Sequence, residues 1–215
     1  MISGIALLTS LALAANPPAP PPEPLAPEAA ALIAQLKLPV PSDTAYAETR
    51  FSKLLRKPLE LRGELHYGGA GVLGKRVDAP YRETTTIAQG EVTVQREGKG
   101  VRRFALERAP ELEALLASFS ALLGGDAAAL NSQFVLALEH RDTAWRLTLT
   151  PRAHDLAEHL RELVVDGRES AVRCVSLHEA DGDASVMRIA ALAEAQLPAP
   201  PTMAALDTLC RGAAH

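Results

Sequence analysis

The chain has 215 residues, 47% of them hydrophobic, enough for one buried core plus tails. Its 22 basic residues stand against 26 acidic ones, a formal net charge of −4, so no basic field is available to hold nucleic acid. Neither a GxxxxGK[ST] or GxGxxG phosphate loop nor an HExxH or CxxC metal or redox motif occurs, which leaves nucleotide, zincin and dithiol chemistry without their usual residues.

The first residues, "MISGIALLTSLALAA" (1–15), read as an export signal. The stretch is apolar, too short to span a membrane, and ends in an A-x-A pattern at Ala12 and Ala14, although no Lys or Arg precedes it. A buried N-terminal helix is the other reading, but the Pro-rich segment 16–27, "NPPAPPPEPLAP", follows directly and suits an extended linker instead. Position 15 is Ala, so the pattern of a lipid-anchored cysteine is absent there. The folded domain is expected over 28–192, with 193–215 as a C-terminal tail.

"PEAAALIAQLKLP" from Pro27 predicts a helix with Leu32, Ile33 and Leu36 on one face, stopped by Pro39 and Pro41. A strand follows in which Leu59, Leu61, Leu65 and Tyr67 alternate with polar neighbours. Val92 and Val94 begin a hairpin that turns at Gly98-Lys99-Gly100. Leu115, Leu116 and Phe119 belong to a helix that Gly124-Gly125 ends, and Asp126 caps a short second one. Phe134, Leu136 and Leu138 then form a strand, and Trp145, Leu147 and Leu149 the next, across a turn at Arg141-Asp142. Three more strands end with Met187 and Ile189, with turns expected at Asp166-Gly167 and Asp181-Gly182-Asp183. The pattern is an antiparallel meander that a helical pair interrupts, and one of its faces needs cover.

Two cysteines are present, Cys174 and Cys210. Export to an oxidising compartment predicts one disulfide tying the C-terminal segment to a strand; a cytosolic chain would keep two thiols. No spacing of His140, His154, His159 or His178 with Ser170, Ser176 or Ser185 forms a nucleophile elbow or metal pattern, so neither a catalytic centre nor a metal or other cofactor is expected.

In their order, several segments resemble the LolA fold family of periplasmic lipoprotein carriers, in its divergent LolA-like branch. "AETRFSKLLRKPLELRGELHY" stands where carriers have F-x-Q followed by G-x-L-x-Y/W. "PELEALLASFSALLGGDAAALNSQFVLAL" resembles their helical lid and its exit strand. "WRLTLTPR" resembles a W-x-L-x-P-K/R segment, and "LRELVVDG" with "HEADGDASVMRI" the closing strands. The likeness runs from about Thr44 to Ala190. It implies a mainly β fold, an incomplete antiparallel barrel closed by a helical lid over an apolar cavity. It further implies a monomeric periplasmic carrier of acylated lipoprotein or lipid cargo, in transient contact with transport proteins of the inner and outer membranes. The expected lipid contacts are the apolar residues Leu59, Leu61, Leu65, Tyr67, Val92, Val94, Leu115, Leu116, Phe119, Phe134, Leu136, Leu138, Trp145, Leu147, Leu149, Met187 and Ile189. Carriers latch the lid with an Arg just after the G-x-L-x-Y/W strand. Here that place reads Gly68-Gly69-Ala70-Gly71, with no Arg before Arg76, which opens the alternatives of a different acyl cargo, such as an aryl polyene, or an envelope-sensing module.

Overall fold

The computed structural model describes residues 25–212; the expected signal segment 1–15 and most of the Pro-rich stretch lie outside the described residues. Helix α1 (Pro27–Gln35) starts at the proline, whose missing N–H costs nothing in a first turn, and ends short of Pro39. Six strands follow: β1 (Ser42–Phe51), β2 (Leu59–Tyr67), β3 (Leu73–Ala79), β4 (Glu83–Ala88), β5 (Glu91–Arg96) and β6 (Gly100–Ala105). Helices α2 (Pro110–Gly124) and α3 (Ala127–Gln133) interrupt the meander. Gly125 takes a left-handed conformation, φ 73°, at the end of α2, and the Asp126 carboxylate accepts from the Ala129 N–H at 3.0 Å to cap α3. The sheet resumes with β7 (Phe134–Arg141), β8 (Ala144–Pro151), the single turn α4 (His154–Ala157), β9 (Leu160–Arg168), β10 (Ala171–Glu179) and β11 (Ala184–Ile189), and α5 (Met203–Arg211) ends the described chain.

All eleven strands form one antiparallel sheet in the order β6-β5-β4-β3-β2-β1-β11-β10-β9-β8-β7. The sheet does not close: β6 and β7 are its two edges, although they follow one another in sequence. The connection between them, residues 106–133, must cross from one edge to the other, and it is the helical segment that makes this crossing. The fold is therefore an open half-barrel with a helical cover, the mainly β architecture with a lid that the sequence predicts.

One expected turn is not a turn. Asp166-Gly167 lies inside β9, and the chain reverses at Glu169-Ser170, with Glu169 at φ 53°. A Cβ on Gly167 would sit 2.0 Å from the Trp145 ring, so the glycine is there to seat the indole of the neighbouring strand, not to bend the chain. Trp145 then donates from Nε1 to the Glu169 carbonyl at 2.8 Å. The turns at Gly98-Lys99, Asp142 and Asp181-Gly182 fall where expected.

The main core lies between the helices and β7–β9. Leu32 and Ile33 of α1 with Leu36 just after it, Ala121 and Leu122 of α2 and Leu130 of α3 pack on Phe134, Trp145, Leu147, Leu149, Leu163 and Val165. A second, smaller core lies on the other face. There Leu206 and Cys210 of α5 pack on Cys174 and Val186, with Phe51, Leu192, Leu197 and Met203 beside them. Cys174 and Cys210 are joined in a disulfide with Cα atoms 5.6 Å apart, and Arg173 donates to the Leu209 and Cys210 carbonyls.

Candidate functional site

Directly paired residues of neighbouring antiparallel strands share a face, so the register sorts every side chain of the sheet. One row runs Leu138, Leu147, Val165, Val175, Met187 through β7–β11, then reaches Glu48 in β1 and Leu61 in β2. A parallel row begins Leu136, Leu149, Leu163, Leu177. Another joins Tyr67, Leu73, Ile87 and Val92, and Leu65 leads through Lys75 and Thr85 to Val94. Ile189 pairs with Tyr46, and Leu59 with Arg50. All the strand residues expected to touch cargo thus lie on one face, the one that carries α1–α3.

Their burial is uneven. Leu61, Tyr67, Val92, Phe134, Trp145, Leu147 and Leu149 are buried. Leu59, Leu65, Val94, Leu136, Leu138, Met187 and Ile189 are half-buried, as are Leu115, Leu116 and Phe119 of α2. The helices cover the β7–β9 half, where Leu115, Phe119, Leu136 and Leu138 pack against the core. Leu59, Leu65 and Val94 lie outside that core. The cover is tied at one corner: the Leu38 N–H donates to the Leu123 carbonyl at 2.9 Å, and the Tyr67 hydroxyl approaches Gly124. Arg76, the first arginine after the Gly68–Gly71 turn, is on the opposite face, paired with Glu64 and Asp78, so it does not reach the lid.

A charged cluster interrupts the apolar face at the middle of the sheet, and sequence reasoning did not single it out. Glu48 is 3% exposed. Arg50 donates to it from Nε at 2.6 Å, and Lys75 donates from Nζ. Lys75 also stands over the Tyr46 ring, 5.0 Å from its centroid. Burial alone would raise the Glu48 carboxyl, but Lys75 and Arg50 outweigh it and hold it below the ordinary carboxylate value. Burial lowers the Lys75 ammonium, against the pull of Glu48, and pushes the Tyr46 hydroxyl up. The available signal was two charges at i and i+2, Glu48 and Arg50, in a strand whose residues 46–49 are buried on both faces.

The outer face differs in kind. A cavity of about 260 Å³ opens beside α5, lined by Arg146, Asp207, Arg211, His178, Ser176 and Met203 among others. Arg146 bridges Asp166 at 2.7 Å and Asp207 at 2.6 Å. Burial holds His178 below the usual imidazole value, with Glu162 pulling the other way. His140 is exposed at the end of β7, and His154 pairs with Glu158, at 3.4 Å, on the surface. Among the described residues no group of three or more His, Cys, Asp or Glu is placed to hold a metal ion. The Asp181-Gly182-Asp183 turn is clamped by Lys53, whose backbone N–H reaches the Asp183 carboxylate at 3.1 Å. Among the described residues no helix is long and apolar enough to cross a membrane.

The sequence model of the family described as outer membrane lipoprotein carrier protein LolA-like matches residues 20–213. No curated protein matches the chain. Among solved structures it is similar to a LolA superfamily protein from Nitrosomonas europaea, at 11% identity and TM-score 0.40, covering 80% of this chain and 94% of that one. A DUF1329 family protein from Desulfovibrio piger is similar at 10% identity and TM-score 0.43, covering 83% and 96%. LprF from Mycobacterium bovis is similar at 10% identity and TM-score 0.35, covering 82% and 99%.

Proposed function

This chain belongs to the LolA-like family of outer membrane lipoprotein carriers, and from that premise we propose that it is a periplasmic carrier that holds acyl chains on the lid side of its half-barrel and moves them toward the outer membrane, by binding and without chemistry. The observation that carries the reading is the row from Leu138 to Met187, apolar across five neighbouring strands on the face that carries the helices. In the closed form, side chains of α1–α3 fill much of this face. An acyl chain takes their place when the helices lift, and the half-buried Leu136, Leu138, Met187 and Ile189 are where it enters. An aliphatic chain offers no polar handle, so its affinity comes from the transfer of CH₂ groups out of water, about 0.8 kcal/mol each.

Displacement of a fluorescent fatty acid from the mature protein tests this. Affinity is expected to rise about fourfold per added CH₂ along a series of saturated fatty acids. Leu136→Asp and Met187→Asp place a carboxylate on the track at half-buried positions and are expected to abolish binding while the fold survives. His140→Ala and Ser176→Ala are expected to change nothing. Loss of function in the last pair with binding intact in the first would overturn the reading in favour of catalysis.

One observation favours a cargo other than triacylated lipoprotein. The Gly68–Gly71 turn lacks the arginine that latches carriers of that kind, and Arg76 faces away from the lid. Mass spectrometry of organic extracts from protein purified out of its native compartment decides it: a lipoprotein acyl group or a free acyl or polyene lipid. Docking to transport proteins of the two membranes belongs to this reading as well, and crosslinking to them in cells tests it.

A further inference from the structure

We infer that the cluster of Glu48, Arg50 and Lys75 is a head-group site, and that it selects acyl ligands with an anionic head, a carboxylate or a phosphate. The inference rests on the carrier reading above and specifies its ligand.

The apolar row of β7–β11 does not fade out at the sheet's middle. It runs Leu138, Leu147, Val165, Val175, Met187 and stops at Glu48, with Leu61 beyond. Four strand spacings of about 4.8 Å make this track about 19 Å long, the length of an extended long-chain acyl group. A chain laid along it brings its head to β1 and β3. There one buried carboxylate, Glu48, meets two cations, and each cation keeps capacity to spare. Arg50 engages Glu48 through Nε and Nη2, while Nη1 has no hydrogen-bond partner among the described residues; its side chain is 44% exposed. Lys75 spends one donor on Glu48 and is 26% exposed. A single carboxylate would be satisfied by one cation. The second leaves the cluster with a surplus positive charge that faces the track.

The surplus extends along the same face. Arg96 and Arg102 share it, against Glu83 alone, by the pairing of β3 with β4, β4 with β5 and β5 with β6. The outer face of β1–β6 is reversed: Asp43, Glu60, Glu64, Asp78 and Glu91 stand against Arg62, Arg76 and Arg103. A chain of net charge −4 thus carries a positive surplus on the inner face of β1–β6. Glu48 holds Arg50 and Lys75 in place, and the ligand's anion supplies the second negative charge, in surroundings dry enough on the Met187 and Leu61 sides for a charge-assisted hydrogen bond to be strong.

The test compares palmitic acid, palmityl phosphate and neutral methyl palmitate on the mature protein at pH 7, by displacement of a neutral fluorescent acyl probe. Wild type is expected to bind the two anions at least tenfold more tightly than the ester, and the stronger of the two identifies carboxylate or phosphate as the head. Lys75→Met is expected to erase the preference and leave ester affinity unchanged. That change leaves Glu48 paired with Arg50 and the cluster neutral, whereas the double variant Glu48→Gln/Lys75→Met keeps the surplus charge on Arg50 and is expected to retain the preference. Arg76→Met on the outer face is expected to keep the preference. Equal affinity of wild type for acid and ester, or loss of the preference in Arg76→Met, overturns the head-group site while leaving the carrier reading intact. Absence of binding to all three lipids overturns the carrier reading itself.

Discussion

Two residues show how single atoms set this sheet. Gly167 leaves room for the Trp145 ring, and an added Cβ would lie 2.0 Å from that ring. Gly167→Ala is therefore expected to cost about 3 kcal/mol as indole and strand move apart. A lower urea midpoint together with red-shifted tryptophan emission checks it, since the chain has one Trp. Glu48 is the second. Its folded value lies below the ordinary carboxylate value of 4.5, because Lys75 and Arg50 outweigh its burial. The sign follows from linkage: a group that is more acidic folded than unfolded adds stability that is fully present above about pH 4.5 and is lost as pH falls through the lower folded value. Acid unfolding of wild type is thus expected to steepen below pH 4.5, and Glu48→Gln is expected to flatten that limb while lowering stability at neutral pH. Parallel curves for the two proteins would remove Glu48 from the account.

At the scale of elements, α5 is held by a small apolar contact and several specific fastenings. Nine residues form it, with Leu206 and Cys210 buried. Arg146 reaches Asp207 from β8, and Arg173 caps its last carbonyls from β10. The disulfide closes a separation of 36 residues, for which chain entropy gives about 4 kcal/mol of stabilisation. Reduction is expected to lower the thermal midpoint and to release α5 first, seen as fast hydrogen exchange over 203–211 while β8 and β9 stay protected. Thiol labelling of unfolded, unreduced protein is expected to give no signal. Two reactive thiols per chain would place the protein in a reducing compartment and argue against export.

For the whole molecule, the open sheet leaves two edge strands, β6 and β7, at opposite ends. Each carries charge that discourages pairing with another sheet: Arg102 and Arg103 on β6, Glu139 and Arg141 on β7. Wild type is expected to sediment as a monomer. Removing the charges of β6, as Arg102→Val/Arg103→Val, exposes a strand that already shows Val101 at 51% and is expected to produce concentration-dependent association. A stable dimer in wild type would count against the monomeric carrier.

The period-two alternation around Leu59, Val92, Leu136, Leu147 and Met187 was enough to identify those strands and the apolar side of each, because alternation is a local consequence of the pleat, while β1, β3 and β4 were not singled out. The helix stops at Gly124-Gly125 and the cap at Asp126 were equally legible, being satisfied within a few residues. Asp166-Gly167 misled because a glycine that bends a chain and a glycine that admits a neighbour's ring look alike in one strand; only the pairing with Trp145 in β8 tells them apart. The placement of β1 beside β11, and with it the meeting of Glu48, Arg50 and Lys75 at the end of an apolar row, depends on which strands pair and in what register. Those choices minimise exposed backbone and apolar surface over the entire sheet, so they are decided by the tertiary structure and by no single stretch of the chain.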